Sequence, residues 1–365
     1  MTTNDTDRPR VAYFGTGANG AGIAADMHRA GHDVTFIEQW PAHVEAMRAN
    51  GITVAYGDGT EETTEVRVLH LCEVAEQRQP FDIVFLGMKA YDTRWACELI
   101  RNVLAPEGVV IGVQNGMTRG DIAEIVGKAR ALGAVIEVTA NMYTPGRVDR
   151  QTPRAESWFA LEDSAEVGPD RVKQVAEILS ASGKVDVTSD IHSAKWMKLS
   201  VNAAELVTSA IVGLPLMTAA EDPVLMAWML ATGREAVCAA AADGAVLVPI
   251  LGMEPYVDTS DPAAFADALF DKVITNFCLP DTETTCLQDW KKGRRNEARE
   301  INGHVVRVAE AHGIPAPFNA LVVELSEAIE RGEAPFDMSH RDRIAQTLAE
   351  HAPELGNIAG FAPAP

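Results

Sequence analysis

From residue 10 to about 139 the chain alternates short β-rich runs with longer amphipathic stretches. VAYF, DVTFI, DIVFLG, GVVIGV and AVIEVT are apolar, β-branched runs bounded by Gly, Asp or Pro, the pattern of strands. Between them GAGIAADMHRAG, AHVEAMRANG, TRWACELIRNVL and DIAEIVGKARALG repeat apolar residues every three or four positions and often end at Gly, as helices do. This alternation predicts βαβ units and a parallel sheet, an α/β fold. WFALE and VDVTS, with helical DRVKQVAEILSASG between them, are expected at the sheet edge. After Ser189 strand candidates almost vanish. Helices are expected at about 190–211, 222–243, 260–277, 284–312, 317–332 and 340–350. The expected organisation is thus a sheet domain over 9–189, a helical domain over 190–350 and a loose tail over 351–365. VPILGMEPYVDTSDP reads as a loop, and no internal repeat is found.

A length of 365 residues fits two such domains, and 47% hydrophobic against 23% charged residues is far from the composition of disorder. Lys+Arg 31 against Asp+Glu 52 gives a net charge of −21, with no basic stripe to follow phosphates, so neither nucleic acid nor an anionic membrane is an expected partner. The opening MTTNDTDRPR lacks the pattern of a signal peptide, and Asn202 and Glu205 interrupt LSVNAAELVTSAIVGLPLM, so no membrane span is expected. Cys72, Cys97, Cys238, Cys278 and Cys286 form no CxxC pair or even framework. They read as small buried hydrophobes of a reducing, cytoplasmic protein, with no metal site.

Gly15, Thr16, Gly17, Ala18, Asn19 and Gly20 form a G-x-G-x-x-G between the first strand and the first helix. In that context Gly15 permits the tight turn, Gly17 lets the backbone approach a pyrophosphate, and Gly20 lets helix and strand pack closely. Glu38 ends the second strand 18 residues after Gly20, where an acid accepts hydrogen bonds from ribose hydroxyls and repels a 2′-phosphate. The expected cofactor is NAD, with NADP as the alternative. The competing reading of Glu38 is a solvated surface acid. Lys89 and Asn115 follow the third and fourth strands on the edge where an open α/β sheet binds its ligand.

In HSAKWMKLSVNAAELV, Lys198, Asn202 and Glu205 are spaced by four and three and share one helix face. Either Lys198 faces a cleft whose low polarity favours proton release, making it a proton donor near neutral pH, or the stripe is an ordinary solvated face. The long pattern from 284 contains Thr285, Asp289, Glu297, Asn302 and Gly303, and spacing alone picks out no single acid in KKGRRNEARE.

Taken in order, GTGANG at 15–20, MKAYDT at 88–93, QNGM at 114–117, WMKLSVN at 196–202, TTCLQD at 284–289 and NEAREINGHVVRVAEAHGIPAP from 296 resemble the ketopantoate reductase (2-dehydropantoate 2-reductase) family over about residues 9–335. The resemblance implies a Rossmann-type domain followed by an all-helical one, a site in the cleft between them, and hydride transfer between a nicotinamide cofactor and a small 2-oxo or 2-hydroxy acid, by a homodimer. It places the catalytic lysine at Lys198, a substrate-binding acid at Glu297, and further pocket positions at Lys89, Asn115, Asn202 and Thr285. The chain departs from the family in three ways. Glu38-Gln39 stands where NADPH-dependent members usually carry a base, Leu206 stands where many carry a second asparagine, and the loop at 248–262 is longer. Two alternatives are a dehydrogenase of the same fold with another substrate, and a regulator that senses the dinucleotide without turnover.

Overall fold

The computed structural model describes residues 8–250 and 261–355. The chain divides into two compact units, 1–191 and 192–365. The first contains β1 (Arg10–Phe14), α1 (Ala18–Arg29), β2 (Asp33–Glu38), α2 (Pro41–Asn50), β3 (Ile52–Tyr56), β4 (Glu61–Thr64), β5 (Arg67–His70), β6 (Phe81–Leu86), α3 (Thr93–Ile100), β7 (Leu104–Gly112), α4 (Arg119–Val126), β8 (Ala131–Glu137), β9 (Ala140–Asn141), β10 (Arg147–Arg150), β11 (Trp158–Glu162), α5 (Pro169–Leu179) and β12 (Lys184–Thr188). The main sheet runs β12-β11-β8-β7-β6-β1-β2-β5, and all its pairings are parallel except β11 with β8.

Its central strands are largely apolar because both their faces are covered, while the edge strands β5 and β12 are more polar and partly exposed. Along β1, Val11 and Tyr13 pack into one core with Ile23, Phe36 and Phe85, while Ala12 and Phe14 pack into another with Ile37, Val84 and Leu86. As expected, β11 and β12 extend the sheet at one edge.

A second sheet, β4-β3-β10-β9, is absent from the sequence reading. EETT in β4 is too polar to announce a strand, and β3 finds its parallel partner β10 almost a hundred residues away. Asp26 on α1 ties this sheet down. Its fully buried carboxylate accepts from Arg29, Arg150, Arg154 and the Ser182 hydroxyl, and Arg150, itself buried, also donates to Thr152 O, Ser157 Oγ and Ser182 O. The helix expected over 121–133 ends at Val126, because Gly127 turns the chain at φ +93° and the next residues enter β8.

The second unit contains α6 (Ile191–Ile211), α7 (Leu216–Ala220), α8 (Pro223–Ala242), α9 (Pro262–Phe277), α10 (Thr285–Lys291), α11 (Asn302–His312), α12 (Pro317–Glu330) and α13 (Arg341–Leu355). The single helix expected over 284–312 is instead two. Gly293, at φ +66°, and a turn closed by Asn296 Oδ1 accepting from Ala298 N–H separate α10 from α11. The last helix runs on to Leu355, so 351–355 are not loose, while the rest of the tail lies outside the described residues. So does most of the loop read at 248–262.

Among the described residues α8 is the one helix long and apolar enough to cross a membrane, but 67% of that window is buried inside the protein and it carries Arg234 and Glu235. Glu235 caps α12 across helices, accepting from Phe318 N–H, Asn319 N–H and Asn319 Nδ2. Three cysteines depart from the buried reading: Cys72 is exposed, and Cys238 and Cys278 are half-buried.

Candidate active site

In the first unit the carboxyl ends of four adjacent strands line up as β7, β6, β1, β2, and the chain leaves β1 and β6 on opposite sides of the switch point between them. Gly15 follows β1 at φ +88°, and its N–H donates to Ile37 O at 2.8 Å. A side chain there would press its Cβ to 2.5 Å from Met88 N, and one at Gly20 would come within 2.3 Å of Gly15 O. A Cβ on Gly17 would meet nothing within 4 Å, so that backbone lies open to an approaching ligand. Gly17 N-caps α1 with no side-chain cap and no acid in the first turn, leaving N–H groups to an anion. Asn19 Oδ1, buried in that first turn, makes no hydrogen bond within the protein. These features fit a pyrophosphate held by the loop and helix N-terminus.

Glu38 is not a solvated acid. It is buried, its Oε1 accepts from the N–H groups of Gln39 at 2.8 Å and Trp40 at 2.9 Å, and its Oε2 accepts from the Thr16 hydroxyl at 3.2 Å. The carboxylate is therefore fixed beside the second residue of the glycine loop. Lys89 directly follows Met88, which lies against Gly15, and Asn115 follows β7; both are half-buried.

In the second unit the solvated-face reading of the α6 stripe fails. Lys198 is half-buried, and Asn202, Glu205 and Leu206 are buried. Hydrogen bonds stitch neighbouring segments onto this helix. Thr284 Oγ1 donates to Leu206 O at 2.8 Å, fixing the start of α10, and Asn302 Nδ2 donates to Ala203 O at 3.1 Å, fixing the start of α11. Thr285 is thereby held near Leu206, and its Oγ1 is buried without a hydrogen bond within the protein. Glu297, 97% buried, sits in the turn between the two stitched helices. Asn302 also donates to Asn319 Oδ1, and Asn319 donates to Thr232 O, so α6, α8, α11 and α12 share one amide network. Sequence reasoning assigned no role to Thr284, Asn319 or Glu235. The only local signal for Thr284 is its place beside Thr285.

A doubly wound sheet with a glycine loop at its switch point, followed by a helical unit bearing Lys198 and Glu297, defines the class: a two-domain oxidoreductase. The sequence profile of the ketopantoate reductase PanE/ApbA family matches residues 11–161, and the profile of its C-terminal domain matches 190–330. The chain belongs to the ketopantoate reductase family. A 2-dehydropantoate 2-reductase of Archaeoglobus fulgidus is 28% identical over 329 residues, 88% of this chain and 98% of its own. The crystal structure of a PanE/ApbA family ketopantoate reductase from Ralstonia eutropha JMP134 superposes with a TM-score of 0.74 at 27% identity, covering 89% of this chain and 99% of that one. A D-mandelate dehydrogenase solved with NADH and anilino(oxo)acetate shares the fold, with a TM-score of 0.75 at 21% identity over 88% of this chain and 99% of its own.

Proposed function

We propose that this protein uses NADH in preference to NADPH to interconvert a small 2-oxo acid and its 2-hydroxy acid. Family membership makes it an oxidoreductase of CH–OH groups that works with a nicotinamide dinucleotide. The observation that carries the cofactor preference is the buried Glu38 carboxylate. Three protein donors occupy part of its acceptor capacity and leave room for a ribose hydroxyl, while its charge repels a 2′-phosphate.

The bound cofactor supplies hydride at its nicotinamide C4. Lys198 donates a proton to the substrate carbonyl oxygen as negative charge develops there. Glu297 accepts a hydrogen bond from a second substrate hydroxyl, and Asn202 and Thr285 orient the carboxylate. On the first unit Lys89 and Asn115 would hold the nicotinamide end, and Asn115 is also proposed to bind the substrate. Support for Thr285 comes from its unpartnered hydroxyl, and support for Asn202 from its burial on the Lys198 face.

Leu206 favours a substrate other than ketopantoate. The position is apolar and buried, so a substrate hydroxyl set against it would lack a partner, at about 1–3 kcal/mol. A panel of 2-oxo and 2-hydroxy acids assayed with NADH and NADPH tests the proposal. Turnover of a 2-oxo acid with higher kcat/KM for NADH supports it, and turnover with NADPH alone refutes the cofactor assignment.

A further inference from the structure

His43 lies on α2, outside every residue so far given a role in the reaction, yet it touches the glycine loop directly. The ring is fully buried. Its Nε2 lies 2.9 Å from Thr16 O, and its Nδ1 accepts from the Gly146 N–H at 2.8 Å. A carbonyl cannot donate and an N–H cannot accept, so both partners together fix one form of the ring: neutral, with its proton on Nε2. Thr16 is thus gripped twice, its hydroxyl by Glu38 and its carbonyl by His43.

The consequence lies one peptide unit on. In a trans peptide the C=O and the following N–H point in opposite directions. No cis peptide occurs among the described residues, so drawing Thr16 C=O inward onto His43 turns Gly17 N–H outward, at a position where even a Cβ would meet nothing within 4 Å. Resting on the reading of this loop as the dinucleotide site, we propose that His43 is a positioning residue for the cofactor: it orients the Thr16–Gly17 peptide so that Gly17 N–H meets the pyrophosphate. The Gly146 bond serves to hold the ring in the tautomer that can do so. Gly146, at φ +79°, opens the turn into β10 and accepts from Thr53 N–H through its own carbonyl, so the small sheet anchors the ring.

Two substitutions separate the ring's two bonds. His43→Gln places an amide N–H near the Nε2 position and can keep the bond to Thr16 O. His43→Asn places an amide oxygen near the Nδ1 position and can keep the bond from Gly146 while losing Thr16. NADH dissociation constants are measured by fluorescence titration without substrate, alongside Tm, and the His43 tautomer of the unmodified protein is read from its ring 15N shifts. The expected result is affinity within about threefold of the unmodified protein for His43→Gln and at least about tenfold weaker for His43→Asn, since one hydrogen bond to a charged phosphate is worth that much. Any loss of packing common to both variants shows in Tm and cancels in their comparison. The tautomer measurement, which requires no variant to fold, should place the proton on Nε2. Equal NADH affinity in the two variants, or a proton on Nδ1, overturns the inference. An unmodified protein that binds neither NADH nor NADPH would instead overturn the dinucleotide reading itself, so the two failures are distinguishable.

Discussion

Replacing Glu38 with Gln removes one negative charge from the ribose end of the loop and keeps its shape. An amide oxygen can take the N–H groups of Gln39 and Trp40 as Oε1 does, and an amide nitrogen in place of Oε2 can donate to the Thr16 hydroxyl, which both donates and accepts. The variant therefore tests charge almost alone. Two unit charges about 5 Å apart at an effective dielectric of about 20 repel by roughly 3 kcal/mol. A phosphate monoester carries more than one charge, and salt trims part of the repulsion. We expect Glu38→Gln to bind NADPH about 100-fold more tightly, or about 2.7 kcal/mol. NADH should lose the charge-assisted part of one ribose hydrogen bond, about 1 kcal/mol or fivefold. The ratio of the NADPH to the NADH dissociation constant should then fall by about 500-fold. Quenching of the fluorescence of Trp40, two residues beyond Glu38 in the chain, gives both constants, and the NADPH gain should shrink at high salt. An unchanged ratio, or tighter NADPH binding by the unmodified protein, refutes the reasoning.

Asp26→Asn leaves the buried Arg150 guanidinium without its carboxylate and should destabilise the first unit by about 3–5 kcal/mol, a Tm loss of roughly 6–20 °C by calorimetry; a loss under about 2 °C would show the network is dispensable. His304 packs its ring 5.1 Å from that of Trp196, and burial pushes its pKa down to about 4. The unfolded chain therefore takes up this proton first, so stability is lost as pH falls from about 6.5 to about 4, by up to about 3 kcal/mol. Denaturant unfolding of His304→Phe should show that slope reduced by one proton, and an unchanged slope would assign it elsewhere. Leu206→Asn should raise kcat/KM for ketopantoate by roughly 10-fold relative to less hydroxylated 2-oxo acids. Ketopantoate as the best substrate of the unmodified enzyme, with no gain in the variant, would restore the plain family substrate.

The first βαβ unit is legible in the sequence because three local signals coincide at one place: the apolar run of β1, the glycines, and the change of period at Ala18. The α6 stripe is legible as a shared face, but periodicity cannot say whether a polar face meets solvent or protein. Asn202 and Glu205 are buried, and the side chains that bond to the backbone beside them, Thr284 and Asn302, arrive about 80 to 100 residues later. Distance in sequence likewise hides the second sheet, whose β3 waits for Arg147–Arg150, and the clamp on His43, whose partners are Thr16 and Gly146. The break between α10 and α11 is hidden for another reason. KKGRRNEARE has good helix formers, and what ends the helix is Gly293 together with the Asn296 side chain bonding its own backbone neighbour.

The most direct test of the proposed chemistry follows the hydride and the proton together. NADH deuterated at the reactive C4 position is mixed with the best 2-oxo acid of the panel, in the unmodified enzyme and in Lys198→Ala, and the product is analysed by mass spectrometry. Deuterium is expected at C2 of the 2-hydroxy acid. In Lys198→Ala, kcat should be lower by about 10²–10⁴, with NADH affinity within about threefold of the unmodified protein. Tight NADH binding with no label passed to any 2-oxo acid, or a Lys198→Ala variant of nearly full activity, would contradict the proposed chemistry.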